Sequence, residues 1–176
     1  MEANRHLIIV GMMGTGKTAL GEKLAPLTGL RLVDTDAEVE RKAAKSIPLI
    51  FLEEGEAGFR RLEKEVLTEV LMGPPSLITT GGGIVLNPDN VEAMKKAGWV
   101  VALKADPDEL IHRLRGDTQR PLLAGDLVEK VRRLSRERKH AYDFADFILD
   151  TTGLTPEEAA HRVWEAWKQS ARSERV

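Results

Sequence analysis

The residue types best placed to do chemistry begin at Gly11-Met-Met-Gly-Thr-Gly-Lys17-Thr18, a G-x-x-x-x-G-K-[ST] spacing directly after the apolar run Leu7-Ile-Ile-Val10. Glycines at this spacing let consecutive backbone N–H groups turn inward around phosphate oxygens, and a helix opening there adds partial positive charge. Lys17 can reach the β- and γ-phosphates of a nucleoside triphosphate, and the Thr18 hydroxyl can ligate Mg²⁺. Position 19 is Ala, so only its backbone N–H is available where many such loops carry a hydroxyl. The loop specifies a nucleoside triphosphate. It says nothing about an acceptor.

Four further groups could serve that acceptor. Asp34-Thr35-Asp36 ends the run Arg31-Leu-Val33, at the carboxyl edge where open α/β sheets bind ligands. Asp36 could take a proton from a hydroxyl and Asp34 could hold a Mg²⁺-bound water; alternatively, both carboxylates simply cap a helix over 36–43. Arg60 and Glu63 stand three apart on a helical stretch, so the carboxylate can hold the guanidinium in place, or the two form an ordinary surface ion pair. Thr80-Gly81-Gly82-Gly83 follows Leu77-Ile78. Three glycines cost backbone entropy, which points to a place where the backbone must approach a ligand closely and offer N–H groups. Arg120 sits in the irregular stretch 115–126, and Arg138 lies four residues before Tyr142. An arginine carried onto transferring phosphates would stabilise their charge and exclude water, so this stretch reads as a lid.

The elements that must position these groups are short. Leu7–Val10, Arg31–Val33, Leu77–Ile78, Trp99–Leu103 and Phe147–Leu149 read as buried strands bounded by Gly, Asp or Pro, the pattern of parallel strands between helices. Residues 56–71 place Phe59, Leu62, Val66 and Val70 at steps of three and four, one apolar stripe of a helix. Asp106-Pro107 and Thr155-Pro156 are helix starts, with Glu158 completing a capping box on Thr155. The expectation is an α/β three-layer sandwich with a five-stranded parallel sheet. All 176 residues would form one domain.

Composition excludes several other classes. There is no Cys, so disulfide scaffolds, thiolate zinc sites and thiol catalysis are excluded together. No apolar run approaches the roughly 18 residues of a membrane span, and the N-terminal stretch runs straight into the glycine loop, so a cytoplasmic protein is expected. Net charge is −2, but residues 113–139 carry nine Lys/Arg against four Asp/Glu, a local +5 on a body of −7. That asymmetry suits a small anionic ligand, although a solvated helix face would look the same. The segment contains no aromatic residue, so stacking on nucleic acid is not expected.

In this order, the P-loop, Asp34-Thr35-Asp36, Ser46-Ile-Pro-Leu-Ile-Phe51 with Glu54-Gly55-Glu56 and Phe59-Arg60, Thr80-Gly-Gly-Gly83, Arg120-Pro-Leu-Leu-Ala-Gly125 and Arg138-x-x-x-Tyr142 together resemble the shikimate kinase family over almost the whole chain. The resemblance implies the P-loop kinase fold with a mobile lid at about 115–126 and a substrate-binding helical region at about 36–64. It implies that Gly14, Thr15, Gly16, Lys17, Thr18 and Ala19 bind ATP, with Arg113 near the adenine and Arg120 on the phosphates. Asp36, Arg60, Arg138 and the glycines Gly81, Gly82 and Gly83 would bind shikimate: the two arginines its carboxylate, Asp36 its hydroxyls. Thr18 would ligate Mg²⁺, and Asp34 would reach it through water. Lys17, Asp36 and Arg120 would carry catalysis in a monomeric enzyme that makes shikimate 3-phosphate for aromatic amino-acid biosynthesis.

Two rivals stay open at the level of sequence. Another small-metabolite P-loop kinase would share the loop; gluconate, also a carboxylated polyol, is the harder acceptor to separate, whereas a nucleotide acceptor needs base-reading groups. A catalytically silent nucleotide-binding module would be expected to lack Lys17, Thr18 or Asp36, and all three are present.

Overall fold

Alternation along β1 (His6–Gly11) organises the molecule. Ile8 and Val10 belong to one apolar cluster, Leu7 and Ile9 to another, and all four are fully buried. A strand apolar on both faces must be covered on both faces, which is the situation of a parallel sheet between two helical layers. The structure, a computed structural model, describes residues 5–115 and 126–173.

In chain order β1 is followed by α1 (Lys17–Thr28), β2 (Arg31–Asp34), α2 (Thr35–Ala43), α3 (Ile47–Leu71) and β3 (Ser76–Thr79). A short 3₁₀ turn (Ile84–Leu86) leads to α4 (Pro88–Ala97), β4 (Gly98–Lys104), α5 (Pro107–Leu114), α6 (Leu127–Glu137), β5 (Phe147–Asp150) and α7 (Pro156–Ser173). The five strands lie in the order β2-β3-β1-β4-β5, every pair parallel. One layer packs α3 to α6 on the sheet through Leu67, Met94, Leu110 and Val131; the other packs α1 and α7 through Leu20, Leu24, Val163 and Trp167. All five strands and the three-layer arrangement agree with the sequence reading. Among the described residues no helix is long and apolar enough to cross a membrane.

The chain leaves β1 for β2, returns to place β3 between them, then crosses to β4 on the far side. Open sheets bind ligands at the carboxyl ends of strands where the winding reverses. Here those ends carry the P-loop after β1 and Gly81 to Gly83 after β3. Their carboxyl edges are tied together, because the Thr80 N–H and hydroxyl both donate to Ile9 O, at 3.2 and 2.9 Å.

The helix over 56–71 differs from expectation at its start. It begins at Ile47 and is interrupted at Gly55 (φ 70°, ψ −176°), a conformation open essentially to glycine alone. The stripe read from Phe59 onward is therefore the second arm of a bent helix. Its first arm packs with α2 around Val39, Ile50 and Phe59, a small separate cluster at the edge of the fold. The Thr155–Glu158 capping box is present in both directions, at 2.8 and 3.2 Å. Gly116 to Gly125, which includes the body of the expected lid and Arg120, lie outside the described residues.

Candidate active site

Helix α1 is the only helix of the described residues whose N-terminus has no side-chain cap. It opens on Gly16 at φ 98°, after Gly14 at φ 80°, so the orphan N–H groups of its first turn are left to whatever the loop encloses. Lys17 folds back across the loop and donates to Gly11 O at 2.7 Å and Met12 O at 2.9 Å. Two neutral carbonyls thus hold the ammonium at the mouth of the phosphate cradle, a position from which anionic phosphate oxygens would draw it away. Thr15, buried, closes the loop from below by donating to Met12 O at 2.7 Å. Thr18 is exposed on the first turn of α1.

Beside the loop lies a cleft of about 270 Å³ lined by Gly16, Ala19, Arg113, Leu154 and Pro156 among others. Its apolar walls and few polar groups suit a flat heterocycle. Arg113 is built into it. Its Nη1 donates to Gly14 O and Thr151 Oγ1, both at 3.2 Å, its Nη2 to Thr151 O at 2.9 Å, and Glu109 holds its Nε at 2.8 Å. Buried Thr151 in turn donates to Thr15 O at 2.9 Å. The segment after β5 is thereby laced to the P-loop, an arrangement the sequence reading missed for Thr151. Arg113→Ala should raise the Kd for ATP about tenfold, roughly 1.4 kcal/mol, with acceptor binding in the absence of nucleotide unchanged. Calorimetric titration reads both, and an unaltered ATP Kd would remove Arg113 from the nucleotide site.

Across the sheet edge, the other expected residues come together. Asp34 caps α2 through Ala37 N at 2.9 Å, and its second oxygen accepts from Thr79 Oγ1 at 2.7 Å. The capping alternative is therefore correct for Asp34. Each of its oxygens accepts one bond in this way and can still accept another. The Arg60–Glu63 pair is no surface pair: Nη1 meets Oε2 at 2.8 Å, and Glu63 is 1% exposed. Burial raises the Glu63 pKa above the ordinary carboxylate range and Asp36 adds to it, while Arg60 and Arg138 oppose. Arg138, also buried, donates to Gly82 O at 3.2 Å, and buried Tyr142 donates to the same oxygen at 2.9 Å. Burial raises the Tyr142 pKa, so it remains a neutral donor.

The three glycines have a further reason beside the one expected, which Gly81 does not serve through its N–H. Gly81 N–H donates to Thr35 Oγ1 at 3.2 Å, so it is spent inside the protein. Room for side chains is what the run supplies. A Cβ on Gly81 would stand 2.7 Å from Asp36 Oδ1 and 2.8 Å from Glu63 Oε1. One on Gly82 would press on Met13 N of the P-loop at 3.2 Å, and one on Gly83 would run into the Arg60 guanidinium, 2.7 Å from its Cζ. Each glycine admits a different part of the site: carboxylates, phosphate loop, guanidinium.

The structure thus brings Asp36, Arg60, Arg138 and Gly81 to Gly83 into one cradle beside the P-loop, and places Ala19 and Arg113 in the adjoining cleft. Arg120 lies outside the described residues. The family model for shikimate kinase matches residues 13–168. A shikimate kinase of Desulforudis audaxviator is 44% identical over 148 residues, covering 84% of this chain and 78% of the relative. One from Pelotomaculum thermopropionicum is 40% identical over 161 residues, covering 90% and 93%. The solved shikimate kinase from Acinetobacter baumannii in complex with shikimate superposes with a TM-score of 0.92 at 34% identity, covering 96% of each chain. Sequence, fold and cradle agree, and the chain belongs to the shikimate kinase family.

Proposed function

We propose that this protein transfers the γ-phosphoryl group of ATP to the 3-hydroxyl of shikimate. The observation that carries the reading is the pair of guanidinium groups, Arg60 and Arg138, set around Gly82 and Gly83 with Asp36 beside them and the P-loop backbone against Gly82. Two fixed cations recognise a carboxylate through planar, paired hydrogen bonds. A carboxylate side chain next to them suits hydroxyl groups, as a small carboxylated polyol requires.

Catalysis would be chiefly positioning and charge neutralisation, because phosphoryl transfer through a loose transition state needs little covalent help. Arg60 and Arg138 grip the acceptor carboxylate, and Asp36 orients the hydroxyl and accepts its proton. Lys17 leaves Gly11 O and Met12 O for the phosphates, while the uncapped N–H groups of α1 bind their oxygens. Arg120 adds its charge to the phosphates from the segment before α6. The donors present fit Mg²⁺, an ion that keeps several waters and takes few protein ligands: among the described residues no cluster of three or more His, Asp or Glu forms a metal cage, while the exposed Thr18 hydroxyl can ligate directly and Asp34 through water. That ion would neutralise charge on the phosphates.

An ADP-release assay across shikimate, gluconate and nucleoside monophosphates tests the reading, with turnover expected for shikimate alone. Equal or faster turnover of gluconate would reject it. The glycine geometry adds a second test. In Gly83→Ala the new methyl meets the far end of the Arg60 side chain rather than backbone, so the fold should tolerate it while the guanidinium is displaced. The KM for shikimate should rise about tenfold or more, with the ATP KM and Tm little changed. A variant with an unchanged shikimate KM would show that the Arg60 position seen here is not the one used.

A further inference from the structure

Glu63 is the one buried acid of the cradle for which the transfer reaction has no direct use, and its two oxygens are treated unequally. Oε2 accepts from Arg60 Nη1 at 2.8 Å. Oε1 is shut off from solvent and has no hydrogen-bond partner among the described residues. It faces the cradle, because a Cβ on Gly81 would stand 2.8 Å from it and 2.7 Å from Asp36 Oδ1, so the two carboxylates converge on the same glycine. An ionised carboxylate with a buried, unbonded oxygen near a second acid is costly unless neighbouring cations offset it.

The charged groups that face Glu63 are Arg60 from its own helix, Asp36 from α2 and Arg138 from the segment after α6. Tyr142, from that same segment, lies beside both arginines and is neutral. Glu56 touches Arg60 from the solvent side at 3.5 Å. Within this set, only the two guanidinium groups favour the ionised form of Glu63. Those are also the groups that an acceptor carboxylate would occupy.

We propose that Glu63 is a proton-linked positioning residue: when the anionic carboxylate of the acceptor docks on Arg60 and Arg138, Glu63 takes up one proton from solvent onto Oε1. The incoming anion shares the charge of both arginines and adds a like charge, so the bound state holds the proton more tightly than the empty one. Protonation turns Oε1 from an acceptor into a donor aimed at the cradle. It also leaves Arg60 pulled less strongly toward its own helix and more toward the ligand. The sign follows from linkage. Binding that takes up a proton strengthens as pH falls, over the interval between the empty-site and loaded-site pKa of Glu63, and is flat on either side. This inference rests on Arg60 and Arg138 gripping the acceptor carboxylate.

The test is calorimetric titration of shikimate into the protein at a series of pH values rising from the ordinary carboxylate range, each in two buffers of different ionisation enthalpy. The wild type should take up part of a proton in at least one step of the series, and its affinity should weaken severalfold as pH rises through that interval. Glu63→Gln, which mimics the protonated acid, should bind with no proton uptake and with a flat pH profile. A purely structural role would lower stability without removing the pH dependence. A second measurement needs no variant: in protein labelled with ¹³C at glutamate carboxyl carbons, one signal should shift toward the protonated position on adding shikimate. Wild-type binding without uptake, an equal uptake in Glu63→Gln, or carboxyl signals that do not move would each overturn the proposal. Absence of any shikimate binding would overturn the acceptor reading along with it.

Discussion

Lys17→Ala is expected to lower kcat/KM for phosphoryl transfer by about a thousandfold or more, on the order of 4 kcal/mol of transition-state stabilisation. The side chain takes no part in either large apolar cluster. Its ammonium instead holds Gly11 O and Met12 O at 2.7 and 2.9 Å, and water can satisfy both carbonyls once the side chain is gone. Folding should therefore be nearly untouched, with Tm moving by only a few degrees. The loss falls on the transition state because no other described side chain of the loop can place a positive charge where the β- and γ-phosphates would lie. Turnover by ADP release and a thermal melt, measured on one preparation, separate the two effects. Transfer within tenfold of wild type would end the role assigned to the loop lysine.

The parts of this molecule legible in the sequence are those governed by local spacing. Leu7 to Val10, the glycine loop and the Lys17-Thr18 pair are neighbours in the chain, so their order alone implies strand, cradle and helix. Arg60 and Glu63 were readable for the same reason, three residues apart on one helix; that the pair is buried was not, because burial depends on β3 and its glycines. Gly81 to Gly83 announced a close approach but not what approaches. Arg60 reaches Gly83 from α3, Asp36 reaches Gly81 from α2, and Met13 reaches Gly82 from the loop after β1. Thr151 carried no signal. Its partners Thr15 and Lys104 lie 136 and 47 positions away, and an isolated Thr after a strand resembles any turn residue. Gly55 was visible as a glycine, yet its positive φ inside a helix, which splits α3 into two arms, had no signal in the apolar spacing.

Asp36→Asn should separate the acceptor half of the site from the nucleotide half. Asp36 stands in the first turn of α2 and turns Oδ1 toward Gly81 and Glu63. It does not line the cleft beside the P-loop that holds Arg113 and Ala19. Asparagine keeps the size and one acceptor oxygen but cannot take a proton and carries no charge. If the carboxylate accepts the proton of the reacting hydroxyl, turnover should fall by about 10² to 10⁴, the range for a positioned acid or base. The shikimate KM should change far less, because Arg60 and Arg138 still hold the ligand carboxylate, and the ATP Kd should stay within about twofold. Steady-state kinetics give the first two quantities and calorimetry the third. A loss of ATP affinity matching the loss of turnover would instead put Asp36 with Asp34 at the metal. In that case the first turn of α2 serves the phosphates, and the acceptor hydroxyl gives up its proton without help from this carboxylate.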